Sequence, residues 1–304
     1  MKMIRTPDKR FRNLSDYPFQ PNYRNIPDGG GGELRIHYVD EGPKDGEPVL
    51  MMHGEPSWSY LYRKMIPVFV DAGYRAVAPD LIGFGRSDKL TDRKEYTYQR
   101  HVDWMKAWLD QMGLEKITLV CQDWGGLIGL RLVAGDPDRF ARVVAANTGL
   151  PTGETQIADA FLEWRKFSVE VPDFDAGTIV AMGCRKLLSK EVIAAYNAPF
   201  PDDSYKEAAR IFPSLVTIDP DDPSASANQE AWKVLGLFDK PFITMFSDGD
   251  PITRGGEQVF QKKVAGASGQ PHTTIMSGGH FLQEDCGEEF ARKILRWMAG
   301  ESPE

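Results

Sequence analysis

The stretch Ile117-Thr118-Leu119-Val120-Cys121-Gln122-Asp123-Trp124-Gly125-Gly126 decides the fold. Its first five residues are apolar or β-branched, the composition of a strand covered on both faces. From Trp124 to Val133 the apolar spacing turns helical. The chain must therefore pass from strand to helix around Asp123. Cys121 stands two residues before it and Gly125 two residues after. Small side chains at those places permit a sharp turn that lifts the central residue to the strand end, the arrangement called a nucleophile elbow. Two departures from the usual pattern are visible: Cys121 replaces a glycine, and Asp123 stands where an esterase carries serine.

Working outward, further short apolar runs lie at Leu34 to Val39, Pro48 to Met52, Arg75 to Ala78, Val143 to Ala146, Phe242 to Phe246 and Thr273 to Met276. Between them, Tyr98 to Met112 has helical spacing, with Val102, Met105, Trp108 and Leu109 on one side. Gly287 to Met298 reads as a closing amphipathic helix carrying Phe290, Ile294, Leu295 and Met298. Strands alternating with helices predict an α/β fold with a mostly parallel sheet flanked by helices. From Pro151 to Asp239 no strong strand signal appears. Ile157 to Phe167 and Glu191 to Tyr196 read there as helices, broken by Pro172, Pro199, Pro201 and Pro213. The expectation is a main domain of residues 1–150 and 237–304 and a helical cap of 151–236. A cap over the carboxyl ends of the strands, where such sheets hold their sites, would exclude water. The glycines Gly29 to Gly32 read as a surface turn, because no helix follows to make a phosphate loop.

Composition narrows the function. Lys and Arg number 36 against 44 Asp and Glu, a net charge of −8. That argues against a nucleic-acid groove or binding to an anionic membrane, which both need concentrated positive charge. No run approaches the ~20 apolar residues of a membrane span. The opening MKMIRTPDKRFRN lacks the apolar core of a secretory signal. Cys121, Cys184 and Cys286 are too few and too widely spaced for a disulfide framework or a zinc site. Free thiols and a cytoplasmic location are expected.

The chemistry gathers at four strand ends. Serine attacking a saturated carbon leaves an ether, which resists water; a carboxylate leaves an ester, which water opens. Asp123 therefore points to alkyl transfer followed by ester hydrolysis. His280, in Gly278-Gly279-His280-Phe281 after the run TTIM, is the expected base, with a near-neutral pKa that leaves it mostly uncharged. Asp250, in Ser247-Asp248-Gly249-Asp250-Pro251, is the expected acid that orients it, and Asp248 reads as a turn former. His53-Gly54-Glu55-Pro56 follows PVLMM, and the N–H groups of Glu55 and Trp124 would form an oxyanion hole. The Glu55 side chain reads either as a solvated loop carboxylate or, if it faces a pocket, as a group needing a partner. His37, His101 and His272 receive no role.

His53-Gly54-Glu55-Pro56, Gln122-Asp123-Trp124-Gly125-Gly126 and the segment DLIGFGRSD from Asp80 to Asp88 together resemble the haloalkane dehalogenases of the α/β-hydrolase superfamily. The resemblance runs from DYPFQPNYRN to GGHFLQED and favours the subfamily with a halide-binding Trp in the cap. It implies Asp123 as nucleophile, His280 as base and Asp250 as acid. Trp124 and Trp164 would hold the halide, with Trp58 and Trp232 as competitors for the second place. Leu127, Phe161, Phe167, Phe200, Ile252 and Phe281 are candidates for a dry alkyl pocket or for ordinary core. The resemblance also implies a small haloalkane substrate, a halide product, no cofactor, no metal and a soluble monomer. The alternative is an epoxide hydrolase, which would need acidic protons from cap tyrosines such as Tyr196 and Tyr205. A non-catalytic ligand receptor of the same fold would carry a broken triad.

Overall fold

The computed structural model describes residues 1–154 and 157–303, so residues 155 and 156 of the expected cap, and residue 304, lie outside the described residues. Ile117–Gln122 is buried at every position and runs through the middle of an eight-stranded sheet. In chain order its strands are β1 (Asn22–Pro27), β2 (Glu33–Glu41), β3 (Pro48–Met52), β4 (Arg75–Pro79), β5 (Ile117–Gln122), β6 (Phe140–Ala146), β7 (Phe242–Ser247) and β8 (Thr273–Ile275). They lie side by side as β1-β2-β4-β3-β5-β6-β7-β8. Strand β2 runs antiparallel to β1 and β4, and the remaining pairs are parallel. The central strands β3 and β5 are wholly buried, which is why they read as unbroken apolar runs instead of alternating ones.

Strand β1 escapes the sequence reading because it is an edge strand, mostly exposed and polar, as NYRNIP suggests. The glycine run closes the β1–β2 hairpin. There Asp28 Oδ1 accepts the N–H groups of Gly30 and Gly32 at 2.6 and 2.9 Å. Helix Tyr98–Met112 starts where the Thr97 hydroxyl accepts the Arg100 N–H, and it stops at Gly113 in the left-handed region. Its four apolar side chains pack inward.

Among the described residues, five α-helices and no strand separate β6 from β7: Asp159–Glu170, Ala176–Gly183, Lys190–Asn197, Glu207–Leu215 and Ala225–Leu237. Pro172, Pro199 and Pro201 fall between helices, as expected. Pro213 does not break one; it sits inside Glu207–Leu215. It lies two residues from the end, so its missing N–H removes a single bond from a turn that is already terminating. Ala225–Leu237 lies against Trp124–Gly135, where the Asn228 carboxamide oxygen accepts from Arg131 at 3.0 Å. The closing helix begins at Leu282, five residues earlier than its apolar pattern suggests, and is bent at Cys286. Its first turn, Leu-Gln-Glu-Asp, is buried despite its polarity because its carboxylates are paired.

Candidate active site

Asp123 occupies the turn between β5 and the helix Trp124–Gly135, with φ +51° and ψ −128°. A left-handed aspartate is uncommon and needs support from its surroundings. Here its N–H donates to Asn147 O at 2.9 Å, and its carbonyl accepts from the Thr148 hydroxyl at 2.7 Å. The small neighbours are required by close approach. A Cβ on Gly125 would lie 1.9 Å from Met52 O, and one on Gly54 would lie 2.2 Å from Asp123 Oδ1.

Around this carboxylate the strand ends converge. The Glu55 N–H donates to Asp123 Oδ1 at 2.8 Å. Asp123 Oδ2 lies 3.6 Å from His280 Nε2, and His280 Nδ1 lies 3.1 Å from Asp250 Oδ2. Asp250 is itself fixed by the Ile252 N–H at 2.9 Å and by the Thr253 hydroxyl. Asp248 stands apart from the imidazole. Its N–H donates to Ile275 O, and its carboxylate faces Arg185 at 3.8 Å. His53, which the motif left without a part, positions the oxyanion loop. Its Nε2 accepts the Leu81 N–H at 3.0 Å, so its Nδ1 carries the proton and donates to Gly54 O at 2.9 Å.

Two further residues support the histidine. The Asn147 amide donates to the carbonyls of Gly279 and His280, both at 3.0 Å, and its oxygen accepts the Ser247 N–H. The Gln122 amide lies 3.1 Å from His280 Nε2 and donates to His280 O at 3.2 Å. Both are polar residues at the carboxyl end of a central strand. That was the available signal, since a buried strand end seldom spends an amide without a partner.

The charges differ from expectation. Burial alone would lower the His280 pKa, but the charges of Asp250 and Asp123 on either side outweigh it and raise it to about 10. That direction favours the charged imidazole at rest, in place of the near-neutral pKa expected from the sequence. Asp250 is held below the usual carboxylate range: burial pushes it up, and the charge and hydrogen bond of His280 pull it down further. Glu55 is not a solvated loop carboxylate. It is buried, it faces the cavity, and its Oε1 has no protein partner among the described residues. Burial, then the charge of Asp123, push its pKa well above the ordinary range, against the opposing pull of His280. That shift favours its neutral form beside the nucleophile position.

Asp123, Trp124 and His280 open into a cavity of about 500 Å³ beneath helices Asp159–Glu170 and Ala176–Gly183. Phe161, Phe167, Ile252 and Phe281 line it. Leu127 and Phe200 do not. Leu127 is carried past the elbow on a helix face that packs into the core, where its carbonyl accepts from the Tyr98 hydroxyl. Phe200 packs at 6.5 Å from the Phe84 ring. The tryptophans separate by what their N–H groups do. Trp58 donates to Ala195 O at 3.2 Å and Trp232 to Leu150 O at 2.7 Å, and neither faces the cavity. Trp124 and Trp164 both line it, and neither indole N–H has a hydrogen-bond partner among the described residues. Tyr196 and Tyr205 are not in the cavity wall; the Tyr196 hydroxyl donates to Glu284 Oε2 at 2.6 Å. All three cysteines are free.

Residues 47–285 match the model of a family described as alpha/beta hydrolase fold. The chain is 58% identical over 298 residues to a haloalkane dehalogenase of Psychrobacter cryohalolentis, covering 98% of each chain. It is 50% identical to a haloalkane dehalogenase of Mycolicibacterium paratuberculosis, covering 98% of this chain and 99% of that one. Among solved structures, a tetrameric haloalkane dehalogenase of Paraglaciecola agarilytica superposes with a TM-score of 0.87 at 36% identity, covering 96% of this chain and 97% of that one.

Proposed function

Because this chain belongs to the haloalkane dehalogenases, hydrolases of carbon–halogen bonds within the α/β-hydrolase fold, we propose that Asp123 is its nucleophile, His280 its base and Asp250 the acid that orients the base. The observation that carries this reading is a carboxylate on an elbow, open to an apolar cavity, with His280 Nε2 3.6 Å from one oxygen. The halogenated carbon of a substrate lies against Asp123. A carboxylate oxygen forms the new C–O bond as the C–X bond breaks, and the halide leaves with both electrons of that bond. The departing ion needs donors that offer no competing acceptor, which describes an indole N–H. Trp124 and Trp164 are assigned that part because their N–H groups are uncommitted and face the cavity. Their hydrogen bonds strengthen as charge develops, so they lower the barrier more than they tighten substrate binding.

Alkylation turns Asp123 into a neutral ester. One of the two anions that raise the His280 pKa is then gone, so the imidazole gives up the proton it holds to the medium and becomes a competent base. It takes a proton from water as the oxygen attacks the ester carbonyl. The N–H of Glu55, already directed at Asp123 Oδ1, and that of Trp124 are assigned to the resulting oxyanion. Collapse of the tetrahedral species breaks the bond to the alkoxide, which takes the proton of the added hydroxyl and leaves as alcohol, while the Asp123 carboxylate returns and the proton taken from water stays on His280. Ring opening of an epoxide would need acidic hydroxyls over the nucleophile, and the candidate tyrosines point elsewhere. We assign residues 151–236 to the cap and the cytoplasm as the location. We assign a monomer as the catalytic unit, since Asp123, His280, Asp250 and both indoles come from one chain.

Single turnover of a bromoalkane in heavy-oxygen water tests the scheme. The label is expected in the Asp123 carboxylate, with unlabelled oxygen in the first alcohol formed. Label appearing first in the alcohol would exclude the ester. Trp164→Phe is expected to slow turnover on the order of 10²-fold, the effect of losing one charge-stabilising donor. It should also weaken quenching of tryptophan fluorescence by bromide. Unchanged quenching would move the second donor to another residue.

A further inference from the structure

Asp285 is buried in the first turn of the closing helix, yet its carboxylate serves no group in that helix. Oδ2 accepts the N–H of Gly279 at 2.8 Å and that of Arg185 at 2.9 Å. Oδ1 accepts the N–H of Lys186 at 2.9 Å, and the Asp285 carbonyl accepts from the Lys186 ammonium. One carboxylate thus ties the residue before His280 to a segment that follows the cap helix Ala176–Gly183. The two segments also meet backbone to backbone. The Phe281 N–H donates to Gly183 O at 3.4 Å. A Cβ on Gly279 would lie 2.3 Å from Gly183 O, and a Cβ on Gly183 would lie 2.7 Å from the Phe281 ring. Gly183, Cys184 and Arg185 on one side, and Gly279, His280 and Phe281 on the other, form adjoining parts of the cavity wall. The Arg185 side chain continues the seam to the loop of the acid, where a Cβ on Gly249 would meet its Nε at 2.1 Å.

We propose that Asp285 is a positioning residue for ester hydrolysis: by clamping Gly183 to Lys186 onto Gly279, it fixes His280 between Asp123 and Asp250. A buried carboxylate facing three main-chain N–H groups makes short, charge-assisted bonds, which hold a loop more stiffly than neutral ones. The base is the group whose placement matters most, because its proton transfer depends on distances of about 3 Å, and a shift of about 1 Å costs on the order of 10²-fold. The first step needs only Asp123 and the halide donors, none of which the clamp touches. The inference rests on the assignment of His280 as base, and it predicts that the clamp acts on one half of the reaction.

The test is a burst experiment with a bromoalkane, following bromide release and the intact mass of the protein. Asp285→Ala should slow hydrolysis at least about tenfold while alkylation stays within about threefold, so that alkyl-enzyme accumulates. Asp285→Asn should fall between this variant and the native protein, since its amide oxygen can keep the bonds to Gly279 and Arg185. Lys186→Met removes the ammonium bond to the Asp285 carbonyl without altering the cavity wall, and it should show the same partition to a smaller degree. It decides the matter with Asp285→Asn if Asp285→Ala fails to fold. Equal loss in both steps, or no loss in either, in a folded variant would overturn the proposal. Failure of His280→Phe to trap an adduct on Asp123 would instead overturn the assignment on which it rests.

Discussion

His280→Phe is expected to release about one bromide per site from a bromoalkane and then stall, with its mass increased by that of the alkyl group. Nothing in the first step needs a proton: Asp123 displaces halide and the indoles receive it. The second step needs a base, and His280 is the titratable group that lies 3.6 Å from Asp123 Oδ2 with its other nitrogen on a buried acid. Removing it should cut steady turnover by about 10⁴-fold or more, at the upper end of what a positioned base contributes. Phe occupies a similar volume, but it leaves Asp250 without its cationic partner, so some loss of stability will accompany the kinetic effect. The decisive readouts are therefore stoichiometry and mass. Peptide mapping must place the alkyl group on Asp123. Absence of a burst, or an adduct at another residue, would end the proposed mechanism.

The largest effect on stability is expected at Glu284. Its carboxylate takes two bonds from Arg63, at 2.6 and 2.8 Å, one from Lys64 at 2.7 Å and one from the Tyr196 hydroxyl at 2.6 Å. Arg63 and Glu284 are 2% and 1% exposed. Breaking such a pair from one side strands a charge in a place where water cannot compensate it, a loss of about 3–5 kcal/mol. Glu284→Gln should show that loss in urea unfolding at neutral pH. Replacing both partners, as in Glu284→Gln with Arg63→Met, should recover part of it, because the stranded cation is gone. The pH dependence has a definite sign. Burial pushes the Glu284 carboxyl up, but Arg63, Lys64 and Tyr196 bring it from its ordinary 4.5 down to about 2. Stability from this group is present above the ordinary value and is lost as pH falls toward about 2. The gap between the native protein and Glu284→Gln should therefore narrow below about pH 4.5. A gap under about 1 kcal/mol at pH 7 would mean that the cluster adds nothing beyond burial.

The elbow was legible because every signal for it is local. Strand, small residue, aspartate and helix stand within about twenty positions. The strand ends carrying His280, Asp250 and Glu55 were legible for the same reason. What resisted reading depends on contacts remote in sequence. Glu284 and Asp285 look like the solvated start of a helix, yet they are buried against Arg63, 221 positions earlier, and Arg185, 100 positions earlier. Trp164 could not be separated from Trp58 or Trp232 by spacing, because the difference lies in which indole N–H is spent on a carbonyl. Leu127 is apolar and adjacent to the elbow, but its helix face turns it away from the cavity. The charge on His280 was misjudged because a pKa reports on neighbours in space, and two carboxylates there outweigh the effect of burial.

That charge sets the timing of acid production. On the proposed scheme the raised pKa of His280 beside Asp250 and the restored Asp123 keeps the hydrogen ion taken from water aboard when the alcohol departs. It is surrendered to the medium only when the next substrate neutralises Asp123. On that scheme hydrogen ion and halide are both set free in the same half of the cycle.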